Sequence, residues 1–259
     1  MKSLTALGVI AALALATHAA ADPFKPGKGD QLKLGRRVAD EIRQKEKVLP
    51  ERDARVRYIQ RIGQKLLAAI PPSKDEPWEY TFDVIESKEI NAFALPGGPI
   101  FLYTGLIDIM DSEDEIAAVM AHEIVHVRRE HWAYSYRDQQ KRDLLLVGAS
   151  LLLGMNRTAS QLAGIGADVL VSLPYSRRHE HEADDYGLQI LIDAGYDPRA
   201  MVRVLEKLGE SNRGAPPEIL STHPDARNRA ARVKTAVDGM NRTFPNPKPI
   251  PPGIRSSAR

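Results

Sequence analysis

The chain has 259 residues, of which 43% are hydrophobic and 27% charged, with a formal net charge of +2 and no cysteine. The near-neutral charge gives no reason to expect nucleic acid or an anionic membrane as the main partner. The lack of cysteine excludes disulfides, a thiolate nucleophile and a thiolate metal ligand. Any bound metal must therefore be held by His, Asp or Glu.

The N-terminal segment 1–21 has the layout of a secretory signal peptide. Lys2 supplies a charged start, residues 4–16 form a short apolar stretch, and small residues precede a cleavage site after Ala21. The apolar stretch is short for a membrane span, although an uncleaved anchor is the alternative. Cleavage would remove Lys2 and lower the formal net charge from +2 to +1. We predict an exported protein with one main domain at 22–240, since a chain of that length can bury a full core.

The apolar spacing and the turn residues predict a sequence of elements along the chain. Helices are predicted at 34–47 and 54–70, strands at 80–85, 91–95 and 99–103 with a Pro-Gly-Gly turn at 96–98, and further helices at 114–130, 177–194, 198–208 and 224–240. The fold class is thus α+β and mainly helical, with a small β-sheet placed just before the helix at 114–130.

Two apolar segments, 144–155 and 162–173, are each about 12 residues long, which is short of the ~20 that a membrane helix needs. We interpret them as buried helices or as helices that frame a cleft, and membrane contact is the alternative. No other segment after residue 21 is predicted to span a membrane. The tail at 241–259 is rich in proline, which favours an extended chain without a packed core.

The pattern His122-Glu123-Ile124-Val125-His126 is an H-E-x-x-H motif within the helix predicted at 114–130. Apolar residues at three- and four-residue steps predict an amphipathic helix with one face in the core, and His122 and His126 then lie one turn apart on the same side. Two neutral imidazoles in that arrangement can hold one Zn²⁺, and Glu123 can act as the general base toward water. The alternative is a helix that carries two histidines without a metal.

A catalytic zinc usually has three protein ligands, so a third must come from elsewhere. An acidic cluster begins at Glu180, 54 residues after His126, on a predicted helix where Glu180 and Asp184 share a face. Glu180 can coordinate the metal while Asp184 accepts a hydrogen bond from a zinc-bound histidine. The alternative is a solvated charged helix.

Five segments in order resemble the motif set of metallopeptidase family forty-eight, which includes the CAAX prenyl proteases and soluble periplasmic proteases. They are residues 91–98, 103–105, 122–126, 176–184 and 222–224. The resemblance covers residues from about 30 to about 235. It implies a zincin fold of the gluzincin type and a location in the periplasm of a Gram-negative bacterium.

The resemblance also implies roles for individual residues. His122, His126 and Glu180 would be the ligands of one Zn²⁺ per chain, and Glu123 would be the catalytic base. Asp184 matches the supporting aspartate of the family. His223 and Arg229 match a His-Pro and arginine pair near the cleft, where they would stabilise the oxyanion or, for His223, cap the metal in a resting state. The alternative for His223 is a plain helix cap, since Pro224 occupies a first helical position.

The function that follows is a zinc-dependent endopeptidase of the cell envelope, which acts on polypeptide substrates, above all on unfolded or misfolded proteins in quality control. The strand residues 100–103 would offer an edge for pairing with an extended substrate. One alternative is a zinc-containing, chaperone-like binding protein, and another is hydrolysis of a non-peptide amide. The sequence does not specify the oligomeric state.

Overall fold

The computed structural model describes residues 22–152, 172–210 and 217–255, with side chains of 146–152 left out. Within these ranges the helices are α1 (Lys28–Lys45), α2 (Ala54–Ala68), α3 (Thr104–Ile109), α4 (Glu113–Arg128), α5 (His131–Leu152), α6 (Arg177–Asp193), α7 (Arg199–Glu210), α8 (Ile219–Thr222) and α9 (Ala226–Asp238). The strands are β1 (Thr81–Ile85), β2 (Ala92–Ala94) and β3 (Pro99–Tyr103). The prediction of a mainly helical α+β fold with a small sheet is confirmed. The predicted signal peptide at 1–21 lies outside the described residues.

The sheet has the strand order β1-β3-β2. β3 pairs in parallel with β1, where Phe82 faces Ile100, and it pairs antiparallel with β2, where Phe93 faces Phe101. The expectation that residues 100–103 form an edge for substrate is therefore wrong. The hairpin through the 96–98 turn places β2 on one side of β3, and β1 fills the other side. β2 is instead an edge of this sheet, as far as the described residues go.

Helix α4 lies at the centre of the molecule, where it packs against α6, α7, α2 and β2. Its first turn is set by the sequence: the Ser112 hydroxyl accepts a hydrogen bond from the Glu115 backbone N–H at 3.3 Å, and acidic residues there suit the positive end of the helix dipole. Every residue from Asp114 to Val127 is buried. The prediction that only one face of this helix meets the core is thus wrong, because neighbours cover α4 on all sides.

The proline-rich tail also differs from its prediction. Up to Arg255 it lies along the start of α4, where the Lys248 N–H donates to Asp114 Oδ2 at 2.6 Å and the Glu113 N–H donates to the Lys248 carbonyl at 2.8 Å. Ile254 is buried in the main core. The tail therefore does pack against the domain. It is held at the start of α4 because buried Asp114 and the unpaired amides of a helix N-terminus both need hydrogen-bond partners.

The apolar segment 144–155 begins within α5, where Leu144 is 56% and Leu145 is 74% exposed. The prediction of burial is wrong at these two positions. It is untested for the side chains of 146–152, and residues 153–155 and 162–171 lie outside the described residues. No helix in the described ranges has both the length and the apolar character needed to cross a membrane.

Gly35 is the point where α1 touches the loop that precedes β3. A Cβ atom at this position would overlap the backbone carbonyl oxygen of Pro96. Since backbone atoms cannot rotate away, we expect Gly35→Ala to lower the free energy of unfolding by about 3 kcal/mol, the upper end for an overpacked site. Urea denaturation would measure the change.

Gly29 provides the matched control on the same helix, because a Cβ there has no atom within 4 Å. Gly29→Ala should be neutral or raise stability by a few tenths of a kcal/mol, through the higher helix propensity of alanine. Equal stability of the Gly35 and Gly29 variants would contradict the close packing of α1.

Candidate metal centre

Helix α4 presents its two histidines to the same space. His122 and His126 stand one turn apart, and their Nε2 atoms are 2.9 Å from each other. Both side chains are buried. The H-E-x-x-H spacing thus places two imidazole nitrogens at one point, as the helical period requires.

Helix α6 crosses close to α4 at this point. Gly187 permits the approach, because a Cβ there would lie 2.9 Å from the Met201 Cε and 3.5 Å from the His122 backbone N. Glu180 Oε1 is 3.4 Å from His126 Nε2, and Glu180 Oε2 is 3.5 Å from His122 Nε2. Glu180 is 1% and Asp184 0% exposed, so the face of α6 that these two residues share is not a solvated charged face.

His223 follows α8 and completes the group. Its Nδ1 lies 3.2 Å from Glu180 Oε1 and 3.4 Å from His122 Nε2. The possible ligand atoms of His122, His126, Glu180 and His223 all lie within 4.8 Å of one another, and all four residues are buried. His223 ends α8, while α9 begins at Ala226, so the chain at His223 belongs to the turn between them. This group of nitrogen and carboxylate donors is suited to hold a metal ion.

Asp184 and Arg229 lie behind His122. Asp184 Oδ1 is 3.2 Å from His122 Nδ1, and Arg229 donates from Nη2 to Asp184 Oδ1 at 2.7 Å and from Nε to Asp184 Oδ2 at 3.0 Å. A further nitrogen of Arg229 forms an ion pair with Glu180. Arg229 comes from α9 and is 4% exposed, so one buried guanidinium joins two buried carboxylates from α6.

Burial and neighbouring charges shift the pKa of three residues in and beside this cluster, His122, Glu180 and Asp184. Burial alone would favour neutral His122, but hydrogen bonds to the carboxylates of Asp184 and Glu180 raise the pKa of His122 to about 9. Burial alone would raise the pKa of Glu180, yet the positive charges of His223 and Arg229 hold it well below its usual range. The pKa of Asp184 is also lowered, because hydrogen bonds from His122 and Arg229 outweigh burial. A metal ion that binds here would compete with protons for the same donor atoms.

Glu123 lies beside the cluster and is 1% exposed. Its Oε1 is 3.5 Å from His223 Nε2, while its Oε2 has no hydrogen-bond partner among the described residues. Burial raises the pKa of Glu123 above its usual range. A buried carboxylate oxygen with no partner needs one, and water or a substrate group can fill that place.

Two residues that the sequence analysis did not identify also contact the cluster. Tyr175 stacks on the His126 ring with centroids 3.9 Å apart, and His131 Nδ1 lies 3.0 Å from His126 Nδ1. Burial, together with His179 nearby, lowers the pKa of His131 to about 3. Two features of the sequence could have indicated these residues: a third histidine follows the motif closely, and a tyrosine directly precedes Ser176, the N-cap of α6.

A cavity of about 40 Å³ opens beside His122, Glu123 and His223. Its walls are mainly apolar side chains of α4, α7 and α8, together with the start of α9: Ala118, Val119, Met201, Val204, Leu205, Leu208, Ile219, Leu220 and Ala226. On another side of the cluster, Ala94 and Leu95, at the end of β2, share a small cavity with His126 and Tyr175. The cluster thus has an apolar recess and a strand edge next to it.

Comparison with known proteins gives consistent matches over this region. Residues 53–237 match the family model described as Peptidase family M48. The chain is 36% identical over 221 residues to the beta-barrel assembly-enhancing protease of Escherichia coli (strain K12), covering 78% of this chain. It is 36% identical over 159 residues to the mitochondrial metalloendopeptidase OMA1 of Arabidopsis thaliana, covering 61% of this chain and 31% of that protein.

A third relative is the metalloprotease LoiP of Escherichia coli (strain K12), 31% identical over 163 residues, which cover 61% of this chain and 64% of LoiP. The match to the beta-barrel assembly-enhancing protease spans only 44% of that protein. The similarity to that relative therefore concerns less than half of its length.

Proposed function

This chain belongs to peptidase family M48, and we propose that it is a zinc-dependent endopeptidase of the cell envelope that hydrolyses peptide bonds in unfolded or misfolded polypeptides. The observation that carries this proposal is the buried group of His122, His126, Glu180 and His223. Beside it lies Glu123, whose Oε2 has no hydrogen-bond partner among the described residues. A general base next to a set of metal ligands is the arrangement that metal-assisted hydrolysis needs.

The donor set fits zinc. A tetrahedral zinc site with ligands at about 2.0–2.1 Å has ligand atoms about 3.3 Å apart. The nitrogen and oxygen atoms of His122, His126, Glu180 and His223 lie at similar separations, between 2.9 Å and 3.5 Å for the five pairs described above. We assign His122, His126 and Glu180 as the ligands of one Zn²⁺. Asp184 would fix the His122 ring, since it lies at the Nδ1 atom that faces away from the cluster.

In the reaction, Glu123 takes a proton from the attacking water and passes it to the leaving amine. Burial raises the pKa of Glu123 above that of an exposed glutamate, which makes its carboxylate a better proton acceptor for this step. When bound, the zinc ion supplies Lewis acidity toward the scissile carbonyl. The mechanism requires no covalent intermediate.

His223 would close the site in its resting state. Its Nδ1 lies within the ligand group, and its Nε2 faces Glu123, so substrate and this imidazole compete for the same place. We propose that the turn between α8 and α9 moves when substrate binds. Arg229, in contrast, already donates to Asp184 and contacts Glu180. We therefore assign it to holding these carboxylates in place, and the oxyanion role expected for it stays a prediction.

The substrate class follows from what surrounds the cluster. The apolar recess beside Glu123 can accept a hydrophobic side chain, which a folded protein would keep buried. The edge strand β2, near His126, can pair with an extended backbone. Both features favour unfolded segments. A location in the periplasm is proposed from the signal-peptide pattern at 1–21 and from the similarity to a protein named for beta-barrel assembly.

Metal removal tests the proposal. We expect the purified protein to contain about one zinc per chain and to cleave casein, an unfolded substrate, because the ligand group accepts one ion. Treatment with a chelator should reduce cleavage to background, and added Zn²⁺, but not Mg²⁺, should restore it, since Mg²⁺ prefers an all-oxygen octahedral site. Zinc content would be measured by atomic absorption and cleavage by gel electrophoresis.

A folded domain and its destabilised variant provide the control for substrate class. Cleavage of both at the same rate would contradict the preference for unfolded chains. Cleavage that survives complete zinc removal would contradict the metallopeptidase proposal itself.

A further inference from the structure

We propose that His131 and Glu182 are positioning residues for His126, through a hydrogen-bonded chain that runs from the Glu182 carboxylate through the His131 ring to Nδ1 of His126. The inference rests on the proposed function only in taking His126 as a zinc ligand. It assigns a role to a histidine that lies outside the H-E-x-x-H motif and to Glu182, a member of the acidic cluster that has had none.

The arrangement of the two rings defines the direction of the first hydrogen bond. His126 turns its Nε2 toward the ligand group, 2.9 Å from His122 Nε2 and 3.4 Å from Glu180 Oε1. A metal ligand needs a lone pair on that nitrogen, so the hydrogen of the neutral ring must be on Nδ1. The atom at 3.0 Å from His126 Nδ1 is Nδ1 of His131, which is 1% exposed. His126 therefore donates, and His131 accepts.

The acceptor role in turn fixes the second hydrogen bond. With its lone pair on Nδ1, neutral His131 carries its hydrogen on Nε2, and that atom faces Glu182 Oε2 at 3.4 Å. Glu182 lies two residues after Glu180 and two before Asp184 on α6. One helix thus supplies a ligand carboxylate, a carboxylate that contacts His122 directly, and a carboxylate that reaches His126 through His131.

The surroundings hold the His131 ring in this orientation. His179 stacks on it with centroids 4.5 Å apart and an angle of 11° between the planes. The backbone brings His131 back toward α4 through Glu130, which has a left-handed φ of 54° between α4 and α5. The Glu130 carboxylate accepts hydrogen bonds from Lys25 Nζ and Gln31 Nε2, both at 2.7 Å, and these contacts keep the turn in place.

Zinc affinity is the direct measure of this role. Loss of a hydrogen-bond partner of a metal-bound histidine typically weakens metal binding about 10–100-fold. We expect a loss in that range for His131→Phe, which keeps an aromatic ring against His179 but removes the acceptor. His131→Asn should recover most of the affinity, because its side-chain oxygen can occupy the place of Nδ1. Competition with a chromogenic chelator would give the affinities, without any use of proteolysis.

His179→Phe is the matched control, since it removes a neighbouring stacked histidine that makes no recorded contact with His126. It should bind zinc within a few-fold of the unchanged protein. As a single substitution, Glu182→Leu should weaken zinc binding. In the His131→Phe background it should cause no further loss of zinc affinity, because its effect passes through His131.

Three results would overturn the proposal: zinc affinity unchanged in His131→Phe, an equal loss in His179→Phe, or additive losses for His131→Phe and Glu182→Leu. A failure of the proposed function looks different. In that case the protein and its variants would bind zinc in the predicted order, and none of them would cleave casein.

Discussion

Glu123→Gln should abolish peptide hydrolysis while the protein keeps its zinc. The substitution preserves the shape of the side chain but removes the carboxylate that we propose takes a proton from water. Loss of a general base of this kind lowers the rate by on the order of 10²–10⁴-fold. Zinc content should stay the same, since Glu123 is not among the residues whose atoms form the ligand group. The measurement is casein cleavage together with zinc analysis of the same sample.

Unfolding cannot account for the expected loss. Burial raises the pKa of Glu123, which shows that the site disfavours its charge. A neutral amide at this position should leave the midpoint of thermal unfolding unchanged or raise it. Glu113→Gln, in the first turn of the same helix, is the control: Gln can still accept the hydrogen bond from the Tyr196 hydroxyl, and full activity is expected.

The same variant separates the competing functions. If the protein acts as a chaperone-like binding protein, Glu123→Gln will suppress aggregation of an unfolded client as well as the unchanged protein does, and neither will cut it. If the reaction is hydrolysis of a non-peptide amide, casein will remain intact while a small amide is cleaved in a Glu123-dependent way. Cleavage of casein at an undiminished rate by Glu123→Gln would refute the assigned base.

Arg229→Met should destabilise the metal-free protein by about 3–5 kcal/mol, the cost of removing one partner from a buried ion pair. Arg229 is 4% exposed, and its guanidinium contacts the carboxylates of both Asp184 and Glu180. Methionine fills much of the volume but leaves these buried charges without their cation. Urea denaturation of the metal-free proteins at neutral pH would give the difference in free energy of unfolding.

Two conditions should reduce this difference. Bound zinc places positive charge next to Glu180, so the loss should be smaller in the zinc-loaded proteins. Acid should act in the same direction. The folded-state pKa values of Asp184 and Glu180 are lowered, since His122, His223 and Arg229 outweigh burial. The stability that the two charged carboxylates contribute is therefore fully present above their unfolded pKa of about 4. It is lost as the pH falls through their folded-state pKa values.

Arg36→Met is the control for removal of an arginine. Arg36 pairs with Glu79 on the surface, where the two side chains are 59% and 53% exposed. A surface pair of this kind contributes little to stability, because solvent screens its charges. An equally small loss for Arg229→Met would show that the buried carboxylates find other partners, and it would contradict the role proposed for Arg229.

The sequence was most informative where the structure depends on near neighbours. The strand at 99–103 and the helices around residues 54, 114 and 177 begin where they were predicted or within one residue of it. Each helix start has a local cause: the side chains of Asp53, Ser112 and Ser176 accept hydrogen bonds from backbone N–H groups in the first turn of their helices. The short helices α3 and α8 were missed, because a turn or two of helix carries too little periodicity to be recognised.

Contacts between distant segments were beyond the reach of these patterns. In the folded chain β3 lies in the centre of the sheet, the tail packs against the start of α4, and His131 contacts His126. None of these follows from local spacing, because each depends on which surfaces remain to be covered once the helices have packed.

The sequence by itself determined which residues we propose for the site: two histidines one helical turn apart, a glutamate between them, and two carboxylates one turn apart on a second helix. It could do so because a helix fixes the relation between residues three and four apart. Only the tertiary structure decided how these residues meet. It set the approach of α6 to α4, the position of His223 within the ligand group, and the burial that shifts the pKa of Glu123, because burial and distance arise when separate parts of the chain pack together.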